Sequence, residues 1–193
     1  MESRRLRTVA PREAAELLQR GNVGLVPTET VVGLVAGEPG LPRLAGIKGR
    51  DPAKPIALLC PSAEEAFALA SRVPPAAESL ASSVWPGPLT LVLDAKEGGT
   101  VGLRVPDHPA VRELLAAYGA PIYATSANPS GGSAPAKLDD VDPGIKEEVD
   151  FVVAGGSGSG EASAVVDLSD GRVAVLRAGA GLDEVTISRL TRG

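Results

Sequence analysis

The stretch PREAAELLQRGNVGLVPTET (residues 11–30) contains, in order, a helical pattern, a stop signal, a short apolar run and a polar turn. Pro11–Arg20 is predicted to be a helix, because proline near the start and Gly21 just past the end are the expected start and stop signals. Val23–Val26 is typical of a buried strand. A helix followed directly by a buried strand favours an α/β domain.

The rest of the chain continues this alternation. Further helices are predicted over these segments: Leu41–Lys48, Ser62 to about Ala70, a segment that ends before Trp85, and Pro109–Tyr118. Further strands are predicted at these runs: Ile56–Cys60, Leu89–Leu93, Val101–Val105, Pro121–Thr125, Phe151–Ala154, Ala164–Leu168 and Val173–Leu176. A glycine-containing turn between the runs at 89–93 and 101–105 predicts a hairpin, so the sheet is expected to be mixed. No repeat or linker divides the chain, and residues 1–193 are expected to form a single domain.

Charge and composition exclude several classes of site. The 193 residues carry a formal net charge of −5, and residues 131–193 alone hold 6 basic and 11 acidic side chains. Net charge therefore does not attract a polyanion such as RNA, and phosphate binding needs a local cluster of cations. One cysteine, Cys60, and one histidine, His108, exclude a disulfide framework and a soft-metal site. No apolar run approaches the ~18 residues of a membrane span, so the protein is expected in the cytoplasm.

Two polar stretches follow or precede predicted strands. VPTET (26–30) places the hydroxyls of Thr28 and Thr30 directly after a strand, where a ligand could approach. The alternative is a helix N-cap with Glu29 in the first helical turn. KGRDPAKP (48–55) brings three cations together in a loop held by glycine and proline, which suits a triphosphate or pyrophosphate. A solvated charged loop is the alternative there.

Two later stretches also carry polar groups at strand ends. In GLRVPDHP (102–109), Arg104 lies inside an apolar strand and therefore needs a partner or a ligand carboxylate, while Asp107 is a plausible N-cap for the next helix. In ATSANPSGG (124–132), small residues would let the backbone approach a phosphate or adenine closely. The alternative is an ordinary turn, which accounts for the same residue types less specifically.

The glycine-rich run GGSGSG (155–160) leads into a strand and not into a helix, so the context of a phosphate loop is missing. It is interpreted as a flexible loop near a site. Arg177 is a further cation at a strand end. No Ser/His/acid triad is present, and the abundance of Arg, Lys, Ser, Thr and Asn favours catalysis by positioning and electrostatics.

Seven blocks together resemble a known family: PTETVVGL (27–34), KGRDPAKP (48–55), WPGPLTLVL (85–93), GLRVPDHPAV (102–111), TSANPSG (125–131), SAVVDL (163–168) and VLRAG (175–179). In this order they resemble the YrdC-type family, the short threonylcarbamoyl-AMP synthases, over about residues 17–181. The resemblance implies a twisted mixed sheet surrounded by helices, with a deep, locally positive cavity. It also implies a nucleotidyltransferase that joins L-threonine, bicarbonate and ATP into threonylcarbamoyl-adenylate and pyrophosphate, for the modification of adenosine in tRNA.

The resemblance assigns residues by position to the two substrates. It assigns nucleotide contacts to the following residues: Lys48, Arg50, Lys54, Thr100, Ser126, Asn128 and Arg177. It assigns threonine binding to Thr30, Arg104 and Ser163, with Arg104 pairing with the threonine carboxylate. Mg²⁺ would accompany ATP, held by phosphates and water more than by protein. No catalytic side chain and no protein metal ligand are assigned, and tRNA or tRNA-modification proteins are the expected partners.

Two other functions stay open from the sequence. One is a non-catalytic RNA-binding module that uses the same cavity and basic loop, although the net charge of −5 and an aromatic content of 3% disfavour it. The other is a paralogous enzyme of the same fold that uses another carbamoyl or nucleotide substrate. Threonine-dependent release of pyrophosphate distinguishes the synthase from both.

Overall fold

One mixed ten-stranded sheet runs through the computed structural model, which describes residues 6–49 and 56–191. Its strands are β1 Arg7–Val9, β2 Val23–Val26, β3 Gly33–Ala36, β4 Ala57–Leu59, β5 Leu89–Asp94, β6 Thr100–Arg104, β7 Ile122–Ser126, β8 Phe151–Val153, β9 Ala164–Asp167 and β10 Ala174–Arg177. The spatial order is β1-β8-β2-β3-β7-β4-β6-β5-β9-β10, with both parallel and antiparallel neighbours. The predicted α/β class, the mixed sheet and the hairpin of β5 and β6 are confirmed.

Seven α-helices accompany the sheet in the described part of the chain. They are α1 Pro11–Gln19, α2 Leu41–Lys48, α3 Ala63–Phe67, α4 Pro75–Val84, α5 Pro109–Tyr118, α6 Pro143–Glu148 and α7 Glu184–Leu190. Apolar residues of α1 and α5 share one core cluster with β8, whereas those of α2 and α6 share another with β2 and β3. A third cluster joins α3, α4 and α7 to β5, β6 and β9. None of the helices that the structure describes is long and apolar enough to cross a bilayer.

Local chemistry explains most helix ends. Pro11 and Pro109 occupy the first helical position of α1 and α5, where the missing N–H costs no hydrogen bond. Gly119 ends α5 in the left-handed conformation with a φ of 77°. The Ser62 hydroxyl accepts a hydrogen bond from the Glu65 backbone at 3.1 Å, as the capping pattern predicts. The prediction that Asp107 caps α5 is wrong, because the chain is still extended at His108, which occupies that position.

Two strands, β1 and β3, were not indicated by the sequence. β1 is a three-residue edge strand, too short to show a periodicity. β3 forms a hairpin with β2 through the polar segment 27–32, which lacks the Asn-Gly or Asp-Gly signal of a tight hairpin. Both strands depend on partners in the sheet and not on local propensity.

Side chains along the strands point alternately to the buried core and to the opposite face of the sheet, where a cavity lies. On β5, Leu89, Leu91 and Leu93 are fully buried in the core cluster, whereas Thr90 and Val92 face a cavity. The same division holds on β9, where Val166 lies in the core and Asp167 lines the cavity. Successive side chains of a strand point to opposite faces, so each of these strands contributes to the core and to the cavity at once.

Replacing Gly24 by alanine is expected to destabilise the fold by about 1–3 kcal/mol, because overpacking a filled core forces side chains and backbone to shift. A Cβ atom on Gly24 would lie 2.2 Å from the ring of Phe151, which is fully buried. Urea denaturation measures the change in the free energy of unfolding.

The matched control is Gly46→Ala in α2, where a Cβ atom meets nothing within 4 Å. This exposed helical glycine is expected to gain about 0.5–1 kcal/mol when replaced by alanine. Equal effects of the two substitutions would contradict the close approach of Phe151 to Gly24.

Candidate functional site

A cavity of about 650 Å³ lies on the face of the sheet opposite the third core cluster. Seven of the ten residues proposed from the sequence line it: Lys48, Thr100, Arg104, Ser126, Asn128, Ser163 and Arg177. Thr30 is buried behind the wall and hydrogen-bonds to Arg104. Arg50 and Lys54 lie outside the described residues. The structure therefore brings together the described candidates from strands and loops that are distant in sequence.

The segment 27–32 forms a hydrogen-bonded turn and not the start of a helix. The Thr28 hydroxyl donates to the carbonyl oxygen of Val31 at 2.6 Å and accepts the backbone N–H groups of Thr30 and Val31 at 3.1 and 3.2 Å. It also lies 2.9 Å from the Thr30 hydroxyl. The alternative that these residues cap a helix is therefore wrong, because Thr28 closes a local turn whose far end begins β3.

Arg104 is held at the cavity wall by three protein groups. Its Nη2 donates to Glu29 Oε1 at 2.5 Å and to the Thr30 hydroxyl at 3.0 Å, and its Nε donates to the carbonyl oxygen of Gly87 at 3.3 Å. Among the described residues, Nη1 has no hydrogen-bond partner. One guanidinium nitrogen with two N–H groups is thus left for a ligand carboxylate.

Glu29 settles a question that the sequence left open. Arg104 was expected to need either a protein partner or a ligand carboxylate, and Glu29, which lies 75 residues away in sequence, supplies the countercharge. The need for a partner therefore does not by itself point to a ligand. The second carboxylate oxygen, Glu29 Oε2, is buried and has no hydrogen-bond partner among the described residues.

Lys48 joins the end of α2 to the loop that follows β7. Its Nζ lies 2.7 Å from each of the carbonyl oxygens of Ser126 and Asn128, 3.2 Å from Ser126 Oγ and 3.1 Å from Asn128 Oδ1. The Asn128 side chain in turn donates to the carbonyl oxygens of Pro129 and Gly132. A buried ammonium therefore shapes the loop whose small residues line the cavity.

Ser163 connects β5 with the cation of β10. Its hydroxyl lies 3.1 Å from Thr90 Oγ1 and accepts a long hydrogen bond from Arg177 Nη2 at 3.4 Å. Arg177 Nε donates to the carbonyl oxygen of Ser163 at 2.9 Å. Burial, followed by the nearby positive charge of Arg104, lowers the pKa of Arg177. Within residues 6–49 and 56–191 no carboxylate forms an ion pair with Arg177, so an anion in the cavity would relieve this repulsion.

The single histidine and the single cysteine lie away from the cavity wall. Burial lowers the pKa of His108, against the opposing influence of Glu29 and Asp107, so the imidazole is neutral at pH 7. Burial also raises the pKa of Cys60 to about 12, which keeps the thiol protonated. In the part of the chain that the structure describes, no cluster of His, Cys, Asp and Glu side chains suits a metal ion. The arrangement is chemically suited to binding and positioning anions.

The glycine-rich run at 155–160, interpreted from the sequence as a flexible loop, is hydrogen-bonded to neighbouring segments at its C-terminal end. The backbone N–H groups of Gly158, Ser159 and Gly160 donate to the carbonyl oxygens of Ala136, Glu29 and Thr30 at 2.9, 3.0 and 2.8 Å. The loop is therefore tied to the turn at 27–32. Its expected location near the site is confirmed, because Ala162 and Ser163 at its end line the cavity.

Two polar residues that line the cavity, Thr90 and Asp167, were not proposed from the sequence. Thr28, whose hydroxyl was noted in the sequence as accessible to a ligand, also lines it. A signal for Thr90 and Asp167 was present, because each is a polar residue that alternates with buried aliphatic residues in its strand. The pairing of Glu29 with Arg104 had no such signal, because it depends on the tertiary fold.

The sequence matches the family model Sua5_yciO_yrdC, described as "Telomere recombination", over residues 16–179. It is similar to the threonylcarbamoyl-AMP synthase of Pyrococcus abyssi, with 36% identity over 87% of this chain and 53% of that protein. The threonylcarbamoyl-AMP synthase of Pseudomonas fluorescens is 32% identical over 84% of this chain and 94% of its own length. The chain spans about half the length of the P. abyssi and Bacillus subtilis relatives.

The fold is also similar to that of solved structures. The crystal structure of P. abyssi Sua5 complexed with L-threonine matches with a TM-score of 0.86 and 34% identity, over 93% of this chain and 56% of that one. Escherichia coli YciO matches with a TM-score of 0.79 over 89% of both chains, at 24% identity, a similarity of fold alone.

Proposed function

The chain belongs to the Sua5/YciO/YrdC family, and we propose that it is an L-threonylcarbamoyladenylate synthase, which converts L-threonine, bicarbonate and ATP into threonylcarbamoyl-AMP and pyrophosphate. The observation that carries this proposal is the cavity, where one nitrogen of Arg104 is left for a carboxylate and Arg177 carries an unpaired positive charge among the described residues. Two anionic groups, a carboxylate and a phosphate, fit this pair of cations.

We propose that the cavity is divided between the two substrates. Thr30, Arg104 and Ser163 would hold threonine, whose carboxylate would accept hydrogen bonds from Arg104 Nη1. The nucleotide side would consist of the following residues: Lys48, Arg50, Lys54, Thr100, Ser126, Asn128 and Arg177. The small residues after β7 support this division, because they leave room for a nucleotide beside the loop that Lys48 shapes.

The chemistry requires positioning more than proton transfer by the protein. The threonine amine adds to bicarbonate with loss of water to give a carbamate. A carbamate oxygen then attacks the α-phosphorus of ATP. The bond between the α-phosphorus and the oxygen that it shares with the β-phosphorus breaks, which releases pyrophosphate. The chain's contribution would be to align the two anions and to keep water from the unstable adenylate. Mg²⁺ would be held by the phosphates and water, a role that suits a cavity without a cluster of carboxylates.

We propose that the product supplies the threonylcarbamoyl group for an adenosine of tRNA, with tRNA-modification proteins as partners. The reaction would take place in the cytoplasm, where ATP and tRNA are found. Direct RNA binding would need a basic surface, and the net charge of −5 does not favour one.

Release of pyrophosphate tests the proposal. Purified protein with ATP, bicarbonate and Mg²⁺ is expected to release pyrophosphate only when L-threonine is added. Release with another amine in place of threonine would favour a paralogous enzyme. Tight RNA binding without any pyrophosphate release would favour the non-catalytic module, and either result would overturn the synthase.

Replacing Arg50 by alanine is expected to abolish ATP binding, measured by calorimetry, because the cation cluster of residues 48–55 is proposed to clamp the phosphates. Arg72→Ala is the control, since Arg72 is an exposed arginine that does not line the cavity. Retained ATP affinity in Arg50→Ala would count against the proposed clamp.

A further inference from the structure

The glycine-rich loop at 155–160 lies against the back of the turn that carries Glu29 and Thr30. Two of its backbone N–H groups, those of Ser159 and Gly160, bind the carbonyl oxygens of Glu29 and Thr30 at 3.0 and 2.8 Å. The side chains of these two residues are the ones that hold Arg104 Nη2. The loop therefore fixes the backbone from which the Arg104 contacts arise.

The loop can approach this closely only because it lacks side chains at particular positions. A Cβ atom on Gly158 would lie 2.3 Å from the carbonyl oxygen of Thr30 and 2.7 Å from that of Thr28, and both are backbone atoms. A Cβ atom on Gly155 would lie 2.2 Å from Cγ of Pro27, at the start of the same turn. Gly156, in contrast, has nothing within 4 Å of a Cβ atom.

The chain that follows the loop lines the cavity at Ala162 and Ser163. Ser163 follows Gly160 by three residues and contacts Arg177 and Thr90. The backbone of Ala162 approaches Gly179 closely, because a Cβ atom on Gly179 would lie 2.2 Å from the Ala162 carbonyl oxygen. Few residues therefore separate the backbone behind Arg104 from the serine beside Arg177.

We propose that the loop 155–160 sets the spacing between the Thr30–Arg104 side of the cavity and the Ser163–Arg177 side, and that Gly158 is a positioning residue for amino-acid binding. This inference rests on the proposed function. Any side chain at Gly158 pushes the turn at 27–32 and the loop apart, which moves Thr30 and the nitrogen of Arg104 that faces the substrate.

Most of the nucleotide side is expected to change less. Lys48, Ser126 and Asn128 form their own hydrogen-bond network, and the loop 155–160 donates no backbone hydrogen bond to any of the three. Arg177 is bonded to Ser163 beyond the end of the loop, whereas a Cβ atom on Gly158 would meet Thr28 and Thr30. A side chain at Gly158 is therefore expected to affect the amino acid before the nucleotide.

Steady-state kinetics of pyrophosphate release provide the test, with threonine and ATP varied separately. Gly158→Ala is expected to raise the KM for threonine at least tenfold and to change the KM for ATP less than threefold. Gly156→Ala is the matched control in the same loop and is expected to leave both values unchanged. Equal rises in the two KM values for Gly158→Ala, or no rise in either, would overturn the proposal.

A second variant keeps the test decisive if Gly158→Ala does not fold. Gly155→Ala meets the side chain of Pro27 and not backbone atoms, so it is expected to raise the KM for threonine by an intermediate factor. An unchanged KM for threonine in Gly155→Ala would then contradict the loop's role. Failure of the wild type to use threonine would refute the proposed function instead, and the two failures are thereby distinguished.

Discussion

Replacing Arg104 by glutamine is expected to lower the affinity for L-threonine about 10- to 150-fold, because a hydrogen bond to a charged group contributes about 1.5–3 kcal/mol. The Arg104 side chain is 9% exposed and is held by Glu29, Thr30 and Gly87, and among the described residues its Nη1 group has no hydrogen-bond partner. Calorimetric titration with threonine measures the change. Affinity for ATP is expected to fall much less.

The same substitution is also expected to destabilise the fold by about 3 kcal/mol, because removal of one partner leaves a buried charge uncompensated. This loss of stability is at the lower end of the range for buried ion pairs, because the Glu29 side chain is 21% exposed. The double variant Glu29→Gln/Arg104→Gln removes both charges and separates the two effects. It is expected to recover stability but not threonine binding. Recovery of threonine binding would show that Arg104 acts only through the fold.

Replacing Lys48 by methionine is expected to destabilise the protein by about 2–4 kcal/mol and to weaken ATP binding at least tenfold. The methionine is unbranched and only one atom shorter than lysine, but it leaves the carbonyl oxygens of Ser126 and Asn128 without their ammonium donor. A polar group left unsatisfied in this way costs about 1–3 kcal/mol. The loop after β7 would relax, and the cavity would lose a positive charge.

Lys96→Met is the matched control, because Lys96 is exposed and does not line the cavity. Thermal unfolding and calorimetric titration with ATP measure both consequences. Normal ATP affinity in a folded Lys48→Met variant would mean that the loop keeps its shape without the ammonium, which contradicts the proposed role of Lys48.

Features that depend on local chemistry could be predicted from the sequence. The bounds of α2 and α5 agree with the prediction at both ends, because Gly49 and Gly119 terminate them in the left-handed conformation. The strand β2 agrees as well, since four consecutive apolar residues indicate burial on both faces. The candidate Arg104 was found because it stands inside an apolar strand, whereas Ser163 was assigned by the resemblance to the family.

Features that depend on distant pairing could not be predicted. Glu29 looked like a helix-capping acid, and only the neighbouring positions of β6 and the turn at 27–32 reveal it as the partner of Arg104. The glycine run looked like a free loop, because a single sequence does not show which carbonyl oxygens its N–H groups will meet. In both examples the decisive contact joins segments more than 70 residues apart.

The alternation along β5, β6 and β9 has a consequence for how such a protein changes over time. Leu91 and Leu103 belong to the core, whereas Thr90 and Gly102 face the cavity. Substitutions at the cavity-facing positions of a strand alter mainly what the cavity accepts, and those at the core-facing positions alter whether the chain folds. Arg104 is the exception among the cavity-facing positions, because its ion pair with Glu29 ties it to the fold as well. Elsewhere on these strands, substrate preference can change over evolution while the architecture is retained.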